Sequence, residues 1–266
     1  MEYEEEFKAA VDAAKDSGKE ILRIYASQEH HIRTKVDSRD YESPLTQADL
    51  AANKIILERL EVFGFDALSE ESKDDKTRVA KEHVWIIDPL DGTKEFISGN
   101  GEFTVNIALC KKGKPLFGVV YAPVKGIMYT GHKDEGSYAE RMGERERISV
   151  SNRKIELIIA KSRSHPSERL QALLQDLSPK GTITSGSSIK GCLVAEGIAD
   201  LYPRLGPVNE WDICAMHAVV ENAGGKMTLL DGKDIVYNNK DTLLQGFVAS
   251  NSMIHDDIIK KIGELR

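Results

Sequence analysis

The chain has 266 residues, with 43 Asp and Glu against 36 Lys and Arg, a formal net charge of −7. A 41% hydrophobic share beside 30% charged residues excludes an intrinsically disordered chain and fits a globular one. The acidic excess argues against a nucleic-acid coat, which needs clustered Lys and Arg to displace counterions, and no apolar stretch approaches the ~20 residues that span a bilayer.

The start, MEYEEEFKAA, is acidic where a signal or transit peptide is basic, and no apolar h-region follows. Cys110, Cys192 and Cys214 are odd in number and lack metal-ligand spacing, so they are expected to be buried, reduced thiols of a cytoplasmic protein. A chain this long buries enough surface to need no disulfide or metal staple.

In chain order, Phe7, Val11, Ala14, Gly18, Ile21, Leu22 and Tyr25 recur at a helical period and predict a first amphipathic helix. A polar segment from about Gln28 to Ser43 follows. A second helix opens at Thr46, a good N-cap with Asp49 three residues on, carries Ala52, Ile56, Leu60 and Phe63 inward, and stops at Gly64. The runs VWIID, FTVNIALC, LFGVVYAP and GIMYTGH, separated by KKGKP and PVKG, read as strands of a largely antiparallel sheet.

After about residue 150 strands and helices alternate. IELIIA, Thr182–Thr184, ADLYP, Met227–Leu230 and Gly246–Ala249 read as strands. Glu168–Leu177, Ile189–Glu196, Asp212–Ala223 and the C-terminus read as helices, with Gly224 and Gly225 stopping the third. The expected division is 1–150, two helices plus an antiparallel sheet, and 151–266, an α/β part, joined as an α/β (layered α+β) sandwich.

Four acidic elements carry candidate chemistry. In WIIDPLDGTKEF, Asp88 ends an apolar run, Pro89 stiffens the turn, and Asp91 can converge with Asp88. Gly92 lets backbone amides approach an anion. Taken alone this segment reads equally well as a turn, because Asp-Pro and Asp-Gly are common turn dipeptides. Glu70 and Glu71 alone read as solvated surface, and Asp212 and Asp49 as helix-capping acids.

Together E-E, D-P-L-D-G-T and W-D, in this order and with Thr46 and Asp49 upstream, resemble the lithium-sensitive metal phosphatases of the inositol monophosphatase superfamily over nearly the whole chain. The resemblance implies an αβαβα five-layer sandwich of the inositol monophosphatase/fructose-1,6-bisphosphatase type. It places metal ligands on Glu70, Asp88, the Leu90 carbonyl, Asp91 and Asp212, for two or three Mg²⁺ per site. It implies Asp49 and Thr93 as the water-activating pair, Glu70 as a further water-orienting group, and Glu71 as a neighbouring acid. The donors are hard oxygens suited to Mg²⁺ rather than Zn²⁺ or copper. General base catalysis supplies about 10²–10⁴ of an acceleration that reaches ~10²¹ for phosphate monoesters, so the cations carry most of the burden.

DPLDGTKEF followed by NGEFTVNIAL is similar to the 3'(2'),5'-bisphosphate nucleotidases, whereas inositol monophosphatases more often read D-G-T-x-N-F. Ser162-Arg163-Ser164-His165, Gly186-Ser187-Ser188-Ile189-Lys190 and Ala199–Arg204 extend the similarity. It implies a substrate pocket of Asp91, Gly92, Thr93, Lys94, Gly186, Ser187, Lys190, Arg204 and Asp212. Lys190 and Arg204, with Lys94 weaker, would meet a second phosphate. The implied substrate is adenosine 3',5'-bisphosphate, with its sulfated form beside it, and the implied products are AMP and phosphate.

The other readings are an inositol-1-phosphate or fructose-1,6-bisphosphate phosphatase, and a non-catalytic cation- or nucleotide-binding regulator. The stretch between Lys35 and Thr46 departs from the family's compact K-x-D-x-S-P-x-T. His30 and His31 read as exposed rather than ligating. Monomer and homodimer both stay open, since no interface stripe is visible.

Overall fold

The computed structural model describes residues 1–27, 32–36, 42–163 and 167–265. His30, His31, Ser164, His165 and residues 37–41 of the long stretch before Thr46 lie outside them. The first elements are α1 (Glu4–Ser27), β1 (Arg33–Val36), β2 (Glu42–Leu45), α2 (Gln47–Leu60), β3 (Asp66–Ser69), β4 (His83–Asp91) and α3 (Thr93–Ile97). A run of strands follows: β5 (Thr104–Lys111), β6 (Lys114–Ala122), β7 (Ile127–His132), β8 (Gly136–Arg141), β9 (Glu144–Ile148) and β10 (Ile158–Ser162). Next come α4 (Glu168–Leu177), β11 (Gly181–Ser185), α5 (Ile189–Ala195), β12 (Leu201–Arg204), β13 (Val208–Asn209) and α6 (Glu210–Asn222). The last are β14 (Lys226–Leu229), β15 (Leu243–Leu244), β16 (Phe247–Ser250) and α7 (His255–Glu264).

Two sheets organise the molecule. Strands β3 to β9 lie side by side in sequence order, and β11-β10-β12-β16-β14 form the second sheet. In the first sheet every pairing is antiparallel except β3 with β4, so the sheet is largely antiparallel as expected, with one parallel pair at its edge. In the second, β10 runs parallel to β11 and β12, while β16 is antiparallel to β12 and β14.

Three apolar clusters show how the layers stack. One packs α1 and α2 on one face of the first sheet, through Phe7, Ile21, Ile56, Trp85 and Phe117. The second fills the space between the sheets, with α5 and α6 as the middle layer. The third seats α4 and α7 on the outer face of the second sheet, through Leu173, Val248, Ile258 and Ile262. The result is the five-layer αβαβα sandwich. Each large apolar side chain buried in it contributes about 1.5–3 kcal/mol.

The first helix forms where its pattern predicts, with Glu4, Glu5 and Glu6 placed to suit the helix dipole. Its buried stripe is rotated, however. Ala10, Ala13, Ser17 and Ile24 are buried, whereas Val11, Leu22 and Tyr25 are half-buried. Small residues face the sheet because the helix comes close to it: a Cβ on Gly18 would stand 2.4 Å from Tyr121 Cε1. The α2 stripe holds through Leu60, but Phe63 falls in a 3-10 turn and is half-buried, and Gly64 closes the segment at φ +67°.

Two boundaries that position the site differ from the sequence reading. Strand β4 does not end at Asp88 but continues to Asp91. Its ladder slips between Asp88 (opposite Asn106) and Asp91 (opposite Thr104), so three steps on β4 match two on β5. The extra residue forms a bulge, which accommodates Pro89 without an amide hydrogen. Helix α6 begins at Glu210 rather than Asp212. Strand β9 escaped the pattern because four of its five residues are exposed and charged.

Candidate active site

The parallel pairing of β3 and β4 sets Ser69 opposite Ile87 and leaves Glu70 one step further, where its amide donates to the Ile87 carbonyl at 3.2 Å. Glu70 therefore sits beside Asp88 on the neighbouring strand. Helix α6 brings Asp212 to the same place. Carboxylate oxygens of Glu70, Asp88 and Asp212 lie within 4.8 Å of one another. Asp212 is also the third residue of its helix, and its Oδ2 accepts from the Asn209 amide at 2.9 Å. Capping and site-forming roles thus coincide in one carboxylate.

Asp91 stands next to that trio, engaged on its other side. Its Oδ2 accepts from the Ser188 amide at 2.7 Å and from Asn106 Nδ2 at 3.3 Å. Asn106 Nδ2 also donates to Ser188 Oγ at 3.0 Å, and Ser188 Oγ donates to the Asp212 carbonyl at 2.7 Å. Asn106 and Ser188 lie within the motifs NGEFTVNIAL and Gly186–Lys190, whose pattern gives neither a role of its own. Asn106 lies across the ladder from Asp88, a pairing that the structure shows and residue spacing does not. The Leu90 side chain is buried, its amide donates to Asp88 Oδ1 at 3.0 Å, and its carbonyl lies 3.5 Å from Thr93 Oγ1.

Asp49 divides its two oxygens between two tasks. Oδ2 accepts from the Thr46 amide at 2.7 Å and from Thr46 Oγ1 at 2.6 Å, completing the capping box of α2. Oδ1 accepts from Thr93 Oγ1 at 3.3 Å. Thr93 opens α3 after Gly92, whose φ of +96° suits glycine and whose Cβ would lie 3.2 Å from the Glu102 carbonyl. Lys94 is exposed on the next position.

Two further residues shape the acidic end. Lys35 on β1 donates to Glu70 Oε1 at 2.7 Å and also to Glu71. Asn53, one helical turn after Asp49, accepts from Ser69 Oγ at 2.7 Å and donates to Ser72 Oγ at 3.0 Å, which ties α2 to the strand end bearing Glu70. No sequence motif marks Lys35 or Asn53 as a site residue. The position of Asn53 four residues after Asp49, on the same helix face, was the usable clue.

The acids crowd one another. Burial, then Glu70, Asp91 and Asp212, hold the Asp88 carboxyl well above its ordinary range. Burial, then Asp91 and Glu70, do the same to Asp212. Asp91 is pushed up to about 6 by burial against the pull of Lys190 and the Ser188 amide. Asp49 is also raised to about 6 by burial, despite its bonds from Thr46, and Glu71 to about 7 by burial and Glu70. Burial opposes the Lys35 ammonium, but Glu70 and Glu71 more than offset it and its pKa is raised. Hard oxygens that are desolvated and mutually repelling fit a hard divalent cation, which relieves the repulsion.

Beyond Asp91 the sign of the charge reverses. Lys190 on α5 is buried, donates to the Ser187 carbonyl at 2.5 Å and lies 5.2 Å from the Tyr202 ring centroid. Burial lowers its pKa to about 8, although Asp91 and Glu95 oppose the shift. The Gly186 amide donates to Glu102 Oε2 at 2.9 Å, and Arg163 grips the same carboxylate. Ser187 follows at φ +44°, and its buried Oγ has no hydrogen-bond partner among the described residues. Arg204 donates to the Pro207 carbonyl at 2.9 Å, while its Nε is buried and unpartnered among the described residues.

Known proteins place this arrangement. The family model for the inositol monophosphatase family matches residues 2–266. The chain is 42% identical over 242 residues to the 3'(2'),5'-bisphosphate nucleotidase CysQ of Escherichia coli K12, covering 89% of this chain and 96% of that one. It is 38% identical to CysQ of Buchnera aphidicola, covering 89% and 90%. Among solved structures, CysQ from Bacteroides thetaiotaomicron superposes with a TM-score of 0.79 at 38% identity, over 92% of this chain and 96% of that one. An IMPase from Thermotoga maritima gives a TM-score of 0.80 at 22% identity, which shows the shared fold. No helix among the described residues is long and apolar enough to cross a membrane. The chain belongs to the inositol monophosphatase family, and it is a phosphatase.

Proposed function

We propose that the protein is a Mg²⁺-dependent 3'(2'),5'-bisphosphate nucleotidase. It removes the 3'-phosphate of adenosine 3',5'-bisphosphate, and that of its sulfated form, to leave AMP or its sulfated counterpart and inorganic phosphate. The observation that carries this reading is the reversal of charge across Asp91. An acid cluster for cations adjoins a buried lysine, an unpartnered serine hydroxyl and an unpartnered guanidinium nitrogen, all donors suited to a second phosphate. The names of the CysQ relatives support it independently.

Glu70, Asp88, Asp91, Asp212 and the Leu90 carbonyl would hold the Mg²⁺ ions, which when bound would supply Lewis acidity and lower the pKa of water. Thr93 Oγ1 donates to Asp49 Oδ1, so it can accept a proton from that water as its own hydroxyl proton passes to the Asp49 carboxylate. The Thr46 bonds hold Asp49 in place for this task, and Glu70 would help orient the water. The Gly92 and Thr93 amides, at the start of α3, donate to the phosphoryl oxygens. Ser187, Lys190 and Arg204 hold the 5'-phosphate, with Gly186 shaping the turn and Lys94 at the rim. Attack is direct, without a phosphoenzyme.

Phosphate release from adenosine 3',5'-bisphosphate, inositol 1-phosphate and fructose 1,6-bisphosphate, each with and without Mg²⁺, tests the reading. A preference of at least about 10-fold in kcat/KM for the nucleotide is expected. A preference for either sugar phosphate would sink it, and binding without turnover of any of the three would make the chain a regulator instead.

A further inference from the structure

Of the three clustered acids, Glu70 and Asp88 are fixed by one sheet edge, because β3 and β4 are paired directly before them. Asp212 arrives on α6, which packs on the sheets mainly through apolar side chains. Apolar packing alone tolerates small displacements of a helix along its axis, whereas a directional polar anchor does not. The helix has such an anchor at its first residue.

Glu210 is fully buried, and all its side-chain partners are donors. Oε2 accepts from the Asn238 amide at 2.7 Å, and Oε1 accepts from the Asn239 amide at 3.0 Å and from Asn239 Nδ2 at 2.7 Å. The Glu210 amide in turn donates to the Thr242 carbonyl at 3.0 Å. The network continues to Arg78, which is 2% exposed. Arg78 Nη1 donates to Asn238 Oδ1 at 2.7 Å, Nη2 donates to the Asn239 carbonyl at 3.1 Å, and the Arg78 carbonyl accepts from Asn238 Nδ2 at 2.9 Å. Asp74 closes the chain by accepting from Arg78 Nε at 3.1 Å and Nη2 at 2.7 Å. Asp74 lies four residues after Glu70, and Glu210 two residues before Asp212.

We propose that the Asp74–Arg78–Asn238–Glu210 network is a positioning strap that fixes the start of α6 against the Glu70 segment, and so sets the cation site through Asp212. Glu210 and Arg78 touch neither substrate nor cation in this role. The inference rests on the cation reading given above. Supporting shells of this kind typically alter metal affinity 10–100-fold when broken.

The test uses Mn²⁺ as a spectroscopic probe on the chelator-treated full chain, with affinity read by electron paramagnetic resonance. In Glu210→Gln a side-chain NH₂ must face a donor whichever way the amide turns. Asn238→Gly removes both side-chain bonds to Arg78, leaving only the Arg78 bond to the Asn239 carbonyl, while suiting the left-handed backbone there, φ +66°. Both variants are expected to bind Mn²⁺ about 10–100-fold more weakly than wild type. The control is Asp200→Asn, which breaks another buried carboxylate network without connection to the acid cluster and should keep wild-type affinity.

Wild-type affinity in folded Glu210→Gln and Asn238→Gly, judged by circular dichroism, would overturn the strap. Equal weakening in Asp200→Asn would also overturn it, since general loosening would then explain the effect. Should Glu210→Gln fail to fold, Asn238→Gly carries the decision. A wild-type chain that takes up no Mn²⁺ would overturn the cation reading itself.

Discussion

Two buried-carboxylate regions of the molecule look alike by composition and behave differently. Asp200, fully buried between β10 and β12, accepts from Arg153 Nε at 2.9 Å, from the Ile158 amide at 2.7 Å, from Asn251 Nδ2 at 3.4 Å and from Ser151 Oγ. Asp88 is equally buried, but its neighbours are Glu70, Asp91 and Asp212, and their repulsion adds to the burial that raises its pKa. The first carboxylate is satisfied by its own chain. The second needs a charge that the chain does not supply. Burial alone therefore does not mark a site; uncompensated burial does.

The sharpest way to break this contrast is to neutralise both kinds of acid. Asp88→Asn and Asp212→Asn should reduce Mg²⁺-dependent phosphate release more than about 10³-fold, because cation chemistry carries most of the acceleration. The same changes should raise the Tm of the chelated protein, since each removes a like charge. Asp200→Asn should do the reverse: turnover per folded molecule is retained, while Tm falls by roughly 4–8 °C, from about 2 kcal/mol lost. Near-normal rates in Asp88→Asn, or a Tm unchanged in Asp200→Asn, would erase the distinction.

Smaller effects probe the groups around the acids. Thr93→Val removes the hydroxyl that faces Asp49 at little cost in volume, and should lower kcat about 10²–10³-fold with KM nearly unchanged. Lys190→Met tests the cationic side. It should raise KM for adenosine 3',5'-bisphosphate about 10–100-fold, the worth of a charge-assisted hydrogen bond, and change hydrolysis of inositol 1-phosphate much less. An equal effect on both substrates would remove Lys190 from second-phosphate recognition.

The smallest effect expected is in the pH dependence of stability. Asp49 and Asp91 rise from 3.8 to about 6 on folding, chiefly through burial. Between these values the folded chain holds protons that the unfolded chain has released. These two groups therefore stabilise the cation-free protein at low pH, and that contribution is lost as pH rises through about 6. A cation competes with the same protons. The Tm gain on adding Mg²⁺ should thus be a few degrees greater above about pH 7 than near pH 5, measured by scanning calorimetry; a gain independent of pH would contradict it.

Much of this was legible in the sequence because it is local. The α2 capping box follows from Thr46 and Asp49 three residues apart, and the strands of the first sheet from their apolar runs and turns. The left-handed pair Lys112 and Gly113, at φ +50° and +76°, forms the tight turn that KKGKP suggested. Motif order identified the acids that meet, although each alone could be read as a cap or a solvated charge. Less local features were lost. Lys35 sits in a polar stretch with no period, and its pairing with Glu70 and Glu71 depends on where β1 lies. Glu210, next to Trp211 and Asp212, carries no sequence signal of its role, because its partners Asn238 and Asn239 lie far along the chain.

By itself, then, the sequence determined the layered fold, the family and the acids with oxygen donors. Side-chain period and turn chemistry act over a few residues, and motif spacing survives without coordinates. The tertiary structure alone decided how those acids divide: which ones cluster, which lean on Ser188 and Asn106, and where the charge reverses toward Lys190. It did so because burial and charge repulsion depend on distances between segments, and residue spacing along a chain does not encode them.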